Sequence, residues 1–141
     1  MKRVLFLDID GVLNDHIRHP TGYTVIDRDR VTTLNKIAFL GVELVISSAW
    51  RYMIHGGALT LKGFDYLLKS HGVMMPVIGL TKTDEEIQLR DNQIEDWLQE
   101  HQPDKFAVID DLPLNVPNFV QTNGSLGIRN EHIPLLRKFL T

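Results

Sequence analysis

The feature that most constrains this chain is a short apolar run that leads directly into two aspartates and a glycine. Residues 4–7, Val-Leu-Phe-Leu, carry no polar side chain, and Asp8, Asp10 and Gly11 follow at once. An uninterrupted apolar run of this kind predicts a β-strand buried on both faces, as in the centre of a parallel sheet covered by helices. Because ligands of open α/β sheets bind beyond the carboxyl ends of the strands, we expect the two aspartates at a functional site.

The spacing of Asp8 and Asp10 favours a chemical role. Two carboxylates this close repel each other when both are ionised, unless a cation lies between them. Gly11 provides a backbone that turns sharply at no steric cost. A calcium loop is disfavoured because no series of alternating acidic ligands leads to a glutamate. We predict a metal and acid/base site here, and an Asp-rich turn without chemistry is the alternative.

The remainder of the chain alternates between predicted strands and predicted helices. Further apolar runs predict strands at residues 42–46, 77–80, 106–109 and 119–122. Capping residues and helical spacing predict helices from Asp27 or Asp29 to about Leu40, from Leu61 to about Ser70, from a Thr83–Glu86 capping box to about His101, and from a capping Asn130 to about Leu140. Residues 14–26 are rich in turn formers and predict a loop or small hairpin flap. This alternation indicates an α/β domain with a parallel sheet flanked by helices.

Composition narrows the class of protein further. A length of 141 residues suits one domain, residues 1–141, and an apolar content of 43% excludes a disordered chain. The net charge of -3 provides no global attraction to nucleic acid, and the absence of cysteine excludes thiolate chemistry. No apolar stretch approaches the ~20 residues of a membrane span, so we expect a cytoplasmic protein. The oligomeric state stays open.

Polar side chains recur where three of the predicted strands end. Each pair alone is typical of a capped turn, and a single Lys or Arg is typical of solvated surface. Their order and their placement at strand ends form the more specific signal. The strand-end residues are Asp8 and Asp10, Ser47 and Ser48, and Asp110 and Asp111, and the cationic candidates are Lys82 and Arg90.

In this order the motifs resemble those of the haloacid dehalogenase (HAD) superfamily of phosphohydrolases. Residues 7–13 match the first motif, residues 45–47 the second and residues 109–111 the fourth. Residues 47–51 and 90–97 are further similar to small HAD domains associated with RNA-repair proteins. The resemblance implies a three-layer, Rossmann-like parallel sheet. The intervals between the motifs are too short for a large cap domain.

The resemblance also implies a role for each motif residue. Asp8 would be the nucleophile that forms an aspartyl-phosphate, and Asp10 the general acid and base. Ser47 would donate to a phosphate oxygen. A Mg²⁺ ion would be bound by Asp8, by Asp10 through its backbone carbonyl, and by Asp110, with Asp111 holding the cation or its waters.

Two positions fit the third motif, whose cation would neutralise charge on the transferring phosphoryl group. Arg90 is favoured slightly because it precedes a stretch similar to that of the RNA-repair-associated domains, and Lys82 is the alternative. Ser48, Trp50 and Arg51 follow the second predicted strand and are expected to contact the substrate. Packing of Trp50 in the core and solvation of Arg51 are the alternatives.

An aspartate at position 10 favours phosphate esters over haloacids, because an alkoxide leaving group needs a proton donor. A site without a large lid would admit nucleotides or nucleic-acid ends. A small-metabolite phosphatase and a catalytically silent domain that binds metal or phosphate remain alternatives. A phosphoacceptor receiver domain is disfavoured because the second predicted strand ends in serine and the acidic pair comes late.

Overall fold

The computed structural model describes residues 1–15, 26–48, 50, 57, 59–82 and 89–141. Three of the predictions therefore lie outside the described residues. These are most of the flap at residues 14–26, the capping box Thr83–Glu86, and the substrate contact of Arg51.

The described ranges contain five strands and four α-helices, and short 3-10 segments accompany two of the helices. The strands are β1 (Arg3–Leu7), β2 (Val42–Ile46), β3 (Val77–Leu80), β4 (Lys105–Asp110) and β5 (Phe119–Gln121). The α-helices are α1 (Arg28–Leu34), α2 (Leu61–Ser70), α3 (Arg90–His101) and α4 (Ile133–Leu140). The 3-10 segments are Asn35–Leu40 and Asn130–His132.

The strands form one parallel sheet in the order β3-β2-β1-β4-β5, so the first strand of the chain lies in the middle. Leu7, the last residue of β1, is in register with Ile46 of β2 and Ile109 of β4. The residues that follow these three are Asp8, Ser47 and Asp110. They therefore lie side by side at the carboxyl-terminal edge of the sheet. This register brings residues from distant parts of the sequence to a common site.

Alternate residues of β1 enter the core on opposite faces of the sheet, as the pleat requires. Leu5 and Leu7 pack in the larger apolar cluster, which also contains residues of α1, α2 and α4. Val4 and Phe6 pack in a smaller cluster with Trp97 of α3, whose ring meets that of Phe6 edge-on at 5.3 Å between centroids. All four β1 residues are fully buried. The predicted three-layer α/β fold is confirmed.

Three helix ends differ from the sequence-based predictions. The helix predicted to run from the Thr83–Glu86 capping box to about His101 begins at Arg90, because Leu89 has extended backbone with φ of -96°. The helix expected to reach Leu40 continues beyond Leu34 as a 3-10 segment, a tightening common near helix ends, and stops at Gly41 with φ of 72°. Asn130 does not cap α4, because a 3-10 turn comes first. In that turn the backbone N–H of Arg129 donates to the Nδ1 atom of His132.

Within the described ranges, no large cap domain lies over the strand ends. In the described residues between β1 and β2, and between β2 and β3, helices and turns occur but no second sheet. Of the helices within the described ranges, none combines the length and the apolar composition needed to cross a bilayer.

Candidate active site

Three carboxylates meet at the carboxyl ends of the two central strands. One oxygen each from Asp8, Asp110 and Asp111 lies within 4.8 Å of the others. Asp8 is 2% exposed and Asp110 is fully buried, whereas Asp111 is half-buried. Burial of carboxylates at this density requires compensation by positive charge, because the low-polarity interior does not solvate them.

Backbone donors fix the orientation of the two buried carboxylates. The N–H of Ile9 donates to Oδ1 of Asp8 at 2.9 Å, and the N–H of Leu112 donates to Oδ1 of Asp110 at 3.0 Å. The N–H of Asp8 donates to the carbonyl of Ile109 at 3.1 Å, which extends the pairing of β1 and β4 by one step. The Oδ2 atoms of Asp8 and Asp110 therefore remain available for contacts at the centre of the site.

Arg90, the first residue of α3, supplies positive charge to this centre. Its Nη1 atom donates to Oδ2 of Asp110 at 2.8 Å and lies 3.6 Å from Oδ2 of Asp8. Lys82, the other candidate from the sequence, is exposed and borders a separate cavity of about 450 Å³ that Trp97 also lines. The structure therefore brings Arg90, and not Lys82, to the carboxylates.

One arginine does not compensate the acidic group fully. Burial raises the pKa of Asp8 to about 9, and the charge of Asp110 adds to this while that of Arg90 opposes it. Burial also raises the pKa of Asp110 above its ordinary value, again against the effect of Arg90. Burial alone would lower the pKa of Arg90, but the charges of Asp110 and Asp8 raise it. Because the pKa of Asp8 is raised, the metal-free protein retains a proton at the carboxylates, where a second positive charge would fit.

This donor set suits a hard divalent cation such as Mg²⁺. Its ligand atoms are carboxylate oxygens, which Mg²⁺ prefers, and the cluster contains no nitrogen or sulfur donor among the described residues. Asp8, Asp110 and Asp111 would hold the ion. The side chain of Asp10 does not belong to this group.

Asp10 is held apart from the other acids by two N–H donors. The Nδ2 atom of Asn14 donates to its Oδ1 at 3.1 Å, and the indole Nε1 of Trp50 donates to the same oxygen at 2.9 Å. Asn14 is oriented in turn by the N–H of Gly11, which donates to Oδ1 of Asn14 at 2.9 Å. The two aspartates of the opening motif therefore occupy different environments.

The family model described as "HAD domain in Swiss Army Knife RNA repair proteins" matches residues 4–133. The chain belongs to this family. The match includes every site residue described above and all five strands except Arg3, the first residue of β1. No curated protein and no solved structure matches the chain significantly.

In this HAD domain, the residues that follow β2 make contacts within the protein. Ser47 is fully buried and its N–H donates to the carbonyl of Leu7 at 3.1 Å, beside Asp8. Ser48, expected to contact substrate, is also fully buried, and its Oγ accepts from the N–H of Trp50 at 3.2 Å. The contact of Ser48 with a substrate stays a prediction.

Trp50 likewise makes contacts within the protein, and its contact with a substrate stays a prediction. Its ring packs edge-on against Phe64 of α2, with 6.1 Å between ring centroids, and lies against the larger core cluster. Its one polar atom is directed to Asp10. The alternative prediction, that Trp50 packs in the core, agrees with the position of its ring. It did not include the hydrogen bond to Asp10.

Sequence reasoning missed two polar residues of this HAD domain. Asn14 is fully buried and links the turn to Asp10, and the Oγ1 atom of Thr122 donates to the carbonyl of Gly11 at 2.7 Å. An Asn three residues beyond a glycine is a signal for a side chain that closes a turn. No comparable signal marks Thr122, because its partner lies at the other end of the sequence.

Gly11 fits this site for two separate reasons. Its φ of +83° lies in the region that favours glycine. A methyl group at this position would also overlap the carboxylate of Asp111, with 2.5 Å to its Cγ. The turn after β1 and the acidic cluster are therefore in direct steric contact.

Proposed function

We propose that this HAD domain is a magnesium-dependent phosphomonoester hydrolase that acts through an aspartyl-phosphate on Asp8. The observation that carries the proposal is the pairing of two buried strand-end carboxylates, Asp8 and Asp110, with the guanidinium of Arg90. Buried acids with strongly shifted pKa values beside a specific charged partner are characteristic of functional sites. Membership of the HAD family supports phosphatase-type chemistry at this position.

In the first half-reaction, a carboxylate oxygen of Asp8 attacks the phosphorus atom of the ester. The bond between phosphorus and the ester oxygen breaks, and Asp10 transfers its proton to the departing oxygen. In the second half-reaction, the ionised Asp10 takes a proton from water while the water oxygen attacks phosphorus. The bond to Asp8 then breaks, inorganic phosphate leaves, and both aspartates return to their initial states.

Arg90 stabilises the charge that gathers on the phosphoryl oxygens during both transfers. Its position beside both buried carboxylates supports this role, because one group then orients the nucleophile and meets the phosphate. Ser47, at the same sheet edge, is the proposed donor to a phosphate oxygen. A Mg²⁺ ion held by the carboxylate cluster would offset the repulsion between an anionic nucleophile and an anionic phosphate.

For the substrate we propose phosphorylated nucleic-acid ends. The family is associated with RNA repair, and helices and turns, with no second sheet, lie in the described parts of the intervals where a lid would be inserted. A bulky polymer end would reach such a site, whereas small-metabolite phosphatases gain from enclosure of the substrate. Mononucleotides are the alternative substrates within the same chemistry.

The test is a hydrolysis panel run with Mg²⁺ and again with excess chelator. It compares an aryl phosphate, mononucleotides, and oligonucleotides phosphorylated at the 3′ or the 5′ end. We expect chelator to abolish hydrolysis and an oligonucleotide end to give the highest kcat/KM. Unchanged rates in chelator would exclude a metal-dependent mechanism, and the absence of turnover on every ester would favour a silent binding domain.

A matched variant separates this protein from a contaminating phosphatase. Asp8→Asn retains the shape of the side chain but replaces the attacking carboxylate with an amide. Purified in the same way, it should show no hydrolysis and no acid-stable phosphorylation of the protein. Residual activity in this variant equal to that of the wild type would exclude Asp8 as the nucleophile.

A further inference from the structure

We infer that Trp50 is a positioning residue for Asp10, and that its indole N–H, with Asn14, fixes the orientation of the Asp10 carboxyl group and leaves Oδ2 as the oxygen for proton transfer. The inference rests on the proposed function, since it specifies how the acid of that reaction is held. It is based on the two hydrogen bonds that converge on Oδ1 of Asp10, from Nδ2 of Asn14 and Nε1 of Trp50.

Both partners of Asp10 act as donors, so the direction of these bonds is fixed. The indole nitrogen of Trp50 has no acceptor capacity. The amide of Asn14 is oriented by the N–H of Gly11, which needs the carbonyl oxygen of Asn14 as its acceptor and so directs the NH₂ group to Asp10. A carboxylate oxygen that accepts two hydrogen bonds has both lone pairs engaged. Oδ1 is thereby occupied, and Oδ2 is the oxygen left for proton transfer in the proposed reaction.

The frame that holds Oδ1 is built from buried groups. Asn14 is fully buried, and the ring of Trp50 packs on Phe64, which is itself fully buried. The backbone N–H of Trp50 donates to Oγ of Ser48, and this hydrogen bond fixes the position of the Trp50 backbone. Asp10 lies on a turn and is only half-buried, so its orientation depends on these neighbours. In the protonated acid, rotation of the carboxyl group by half a turn would bring its O–H oxygen against both N–H donors, so the two hydrogen bonds favour a single orientation.

A fixed oxygen has a direct use in the proposed reaction. The leaving oxygen of the first half-reaction and the attacking water of the second occupy the same side of the phosphorus atom. One oxygen of Asp10 held toward that side serves as acid and then as base without rotation. Orientation of this kind, made before the substrate arrives, is a recognised source of rate enhancement.

The kinetic test uses Trp50→Phe, which keeps an aromatic ring but removes the N–H. We expect kcat for an alkyl phosphate to fall about 10-fold more than kcat for a nitrophenyl phosphate. The extra loss of kcat is smaller than the ~10²–10⁴-fold that general acid catalysis supplies, because Trp50 only orients the acid. It affects the alkyl ester because the leaving group of that ester needs the proton. Equal losses on both esters would overturn the positioning role, because simple disruption of packing affects both alike.

The chain offers a matched control, because it contains only one other tryptophan, Trp97, which packs in the smaller cluster on the opposite face of the sheet. Trp97→Phe makes the same chemical change and should leave the ratio of the two rates unchanged. In the Trp97→Phe background, replacement of the remaining tryptophan by benzothienylalanine substitutes sulfur for N–H at nearly constant shape. This analogue should reproduce the selective loss, and a wild-type ratio would overturn the inference.

A second measurement does not depend on activity. The two indole N–H groups give two signals in a ¹H–¹⁵N spectrum, and Trp97→Phe assigns them. Asp10→Ala should move the Trp50 signal upfield, because its acceptor is lost, and leave the Trp97 signal in place. An unmoved Trp50 signal would overturn the contact. If the wild-type protein hydrolyses neither ester, the proposed function and the catalytic part of this inference both fail, whereas the spectrum still decides the contact.

Discussion

At the scale of single residues, the site separates its acids into two environments. Asp8 and Asp110 are buried together against Arg90, whereas Asp10 is half-buried and accepts two neutral N–H donors. In the proposed mechanism, the first environment provides the cation site and the nucleophile. The second keeps one carboxyl apart from that charge, which suits the general acid and base of the proposed mechanism.

Asp8→Asn and Asp10→Asn should differ in how they depend on the leaving group. Asp8→Asn should abolish turnover of every ester, since no aspartyl-phosphate forms. Asp10→Asn should slow an alkyl phosphate or nucleotide by ~10²–10⁴-fold and a nitrophenyl ester much less, because nitrophenolate leaves without a proton. The measurement is kcat on both esters, with thermal melting to verify folding. Equal losses for Asp10→Asn would reassign Asp10 to positioning of metal or water.

Arg90→Ala should reduce kcat/KM by about 10²-fold or more, the scale of losing one preorganised charge partner. Lys82→Ala serves as the matched control, because Lys82 borders a different cavity and should change the rate little. Steady-state kinetics on one substrate at saturating Mg²⁺ compares them. A larger loss for Lys82→Ala would assign the third motif to Lys82.

Individual residues also show what sequence could and could not predict at this site. Asp8 and Asp110 were predicted to meet because each follows an apolar strand, and parallel strands end at one edge. The contact of Trp50 with Asp10 was not predicted, because it depends on the direction of a side chain in a loop. Strand periodicity carries no information about that direction.

At the scale of secondary structure, boundaries were predictable where an apolar run ended in a polar residue. The bounds predicted for β2, β3 and α2 are those observed. Prediction was poorer at the end of α1 and the start of α4, where 3-10 segments occur, and at the start of α3, where Leu89 is extended. The balance between α and 3-10 geometry in a single turn depends on packing, and the spacing of apolar residues is compatible with both.

The turn between β1 and the acidic cluster yields a prediction about Gly11. Gly11→Ala should lower the apparent affinity for Mg²⁺ as well as stability, because the new methyl group displaces the carboxylate of Asp111. Gly41→Ala is the matched control, with a similar φ of +72° but no atom within 4 Å of the new methyl group. It should lose only the ~1–2 kcal/mol of left-handed backbone strain. Calorimetric Mg²⁺ titration and denaturant unfolding distinguish the two, and an unchanged Mg²⁺ affinity in Gly11→Ala would contradict the steric coupling.

At the scale of the whole molecule, the raised pKa of Asp8 makes stability depend on pH. Its pKa is 3.8 ordinarily and about 9 in the folded protein, so between these values the folded state holds a proton that the unfolded chain has released. The free energy of unfolding of the metal-free protein should therefore fall as pH rises from about 4 to about 9. Asp110, whose pKa is also raised, acts in the same direction.

Urea unfolding in chelator at a series of pH values measures this slope. Asp8→Asn should flatten it and should be more stable than the wild type at the alkaline end of the range. Mg²⁺ should reverse the trend, because it binds the ionised carboxylates and its stabilising effect grows as they lose protons. A wild-type slope in Asp8→Asn would show that other groups control the pH dependence.

The place of β1 in the sheet also bears on how the chain is made. During synthesis β1 emerges first and finds β2 soon afterwards, but its other neighbour, β4, is formed by residues 105–110. One side of this strand, which is apolar except for Arg3, therefore has no partner until most of the domain has left the ribosome. Strand edges of this kind are prone to join other chains. Ribosome-associated chaperones should consequently matter more for the yield of this domain than its small size suggests, and stalled chains that end before residue 105 should aggregate.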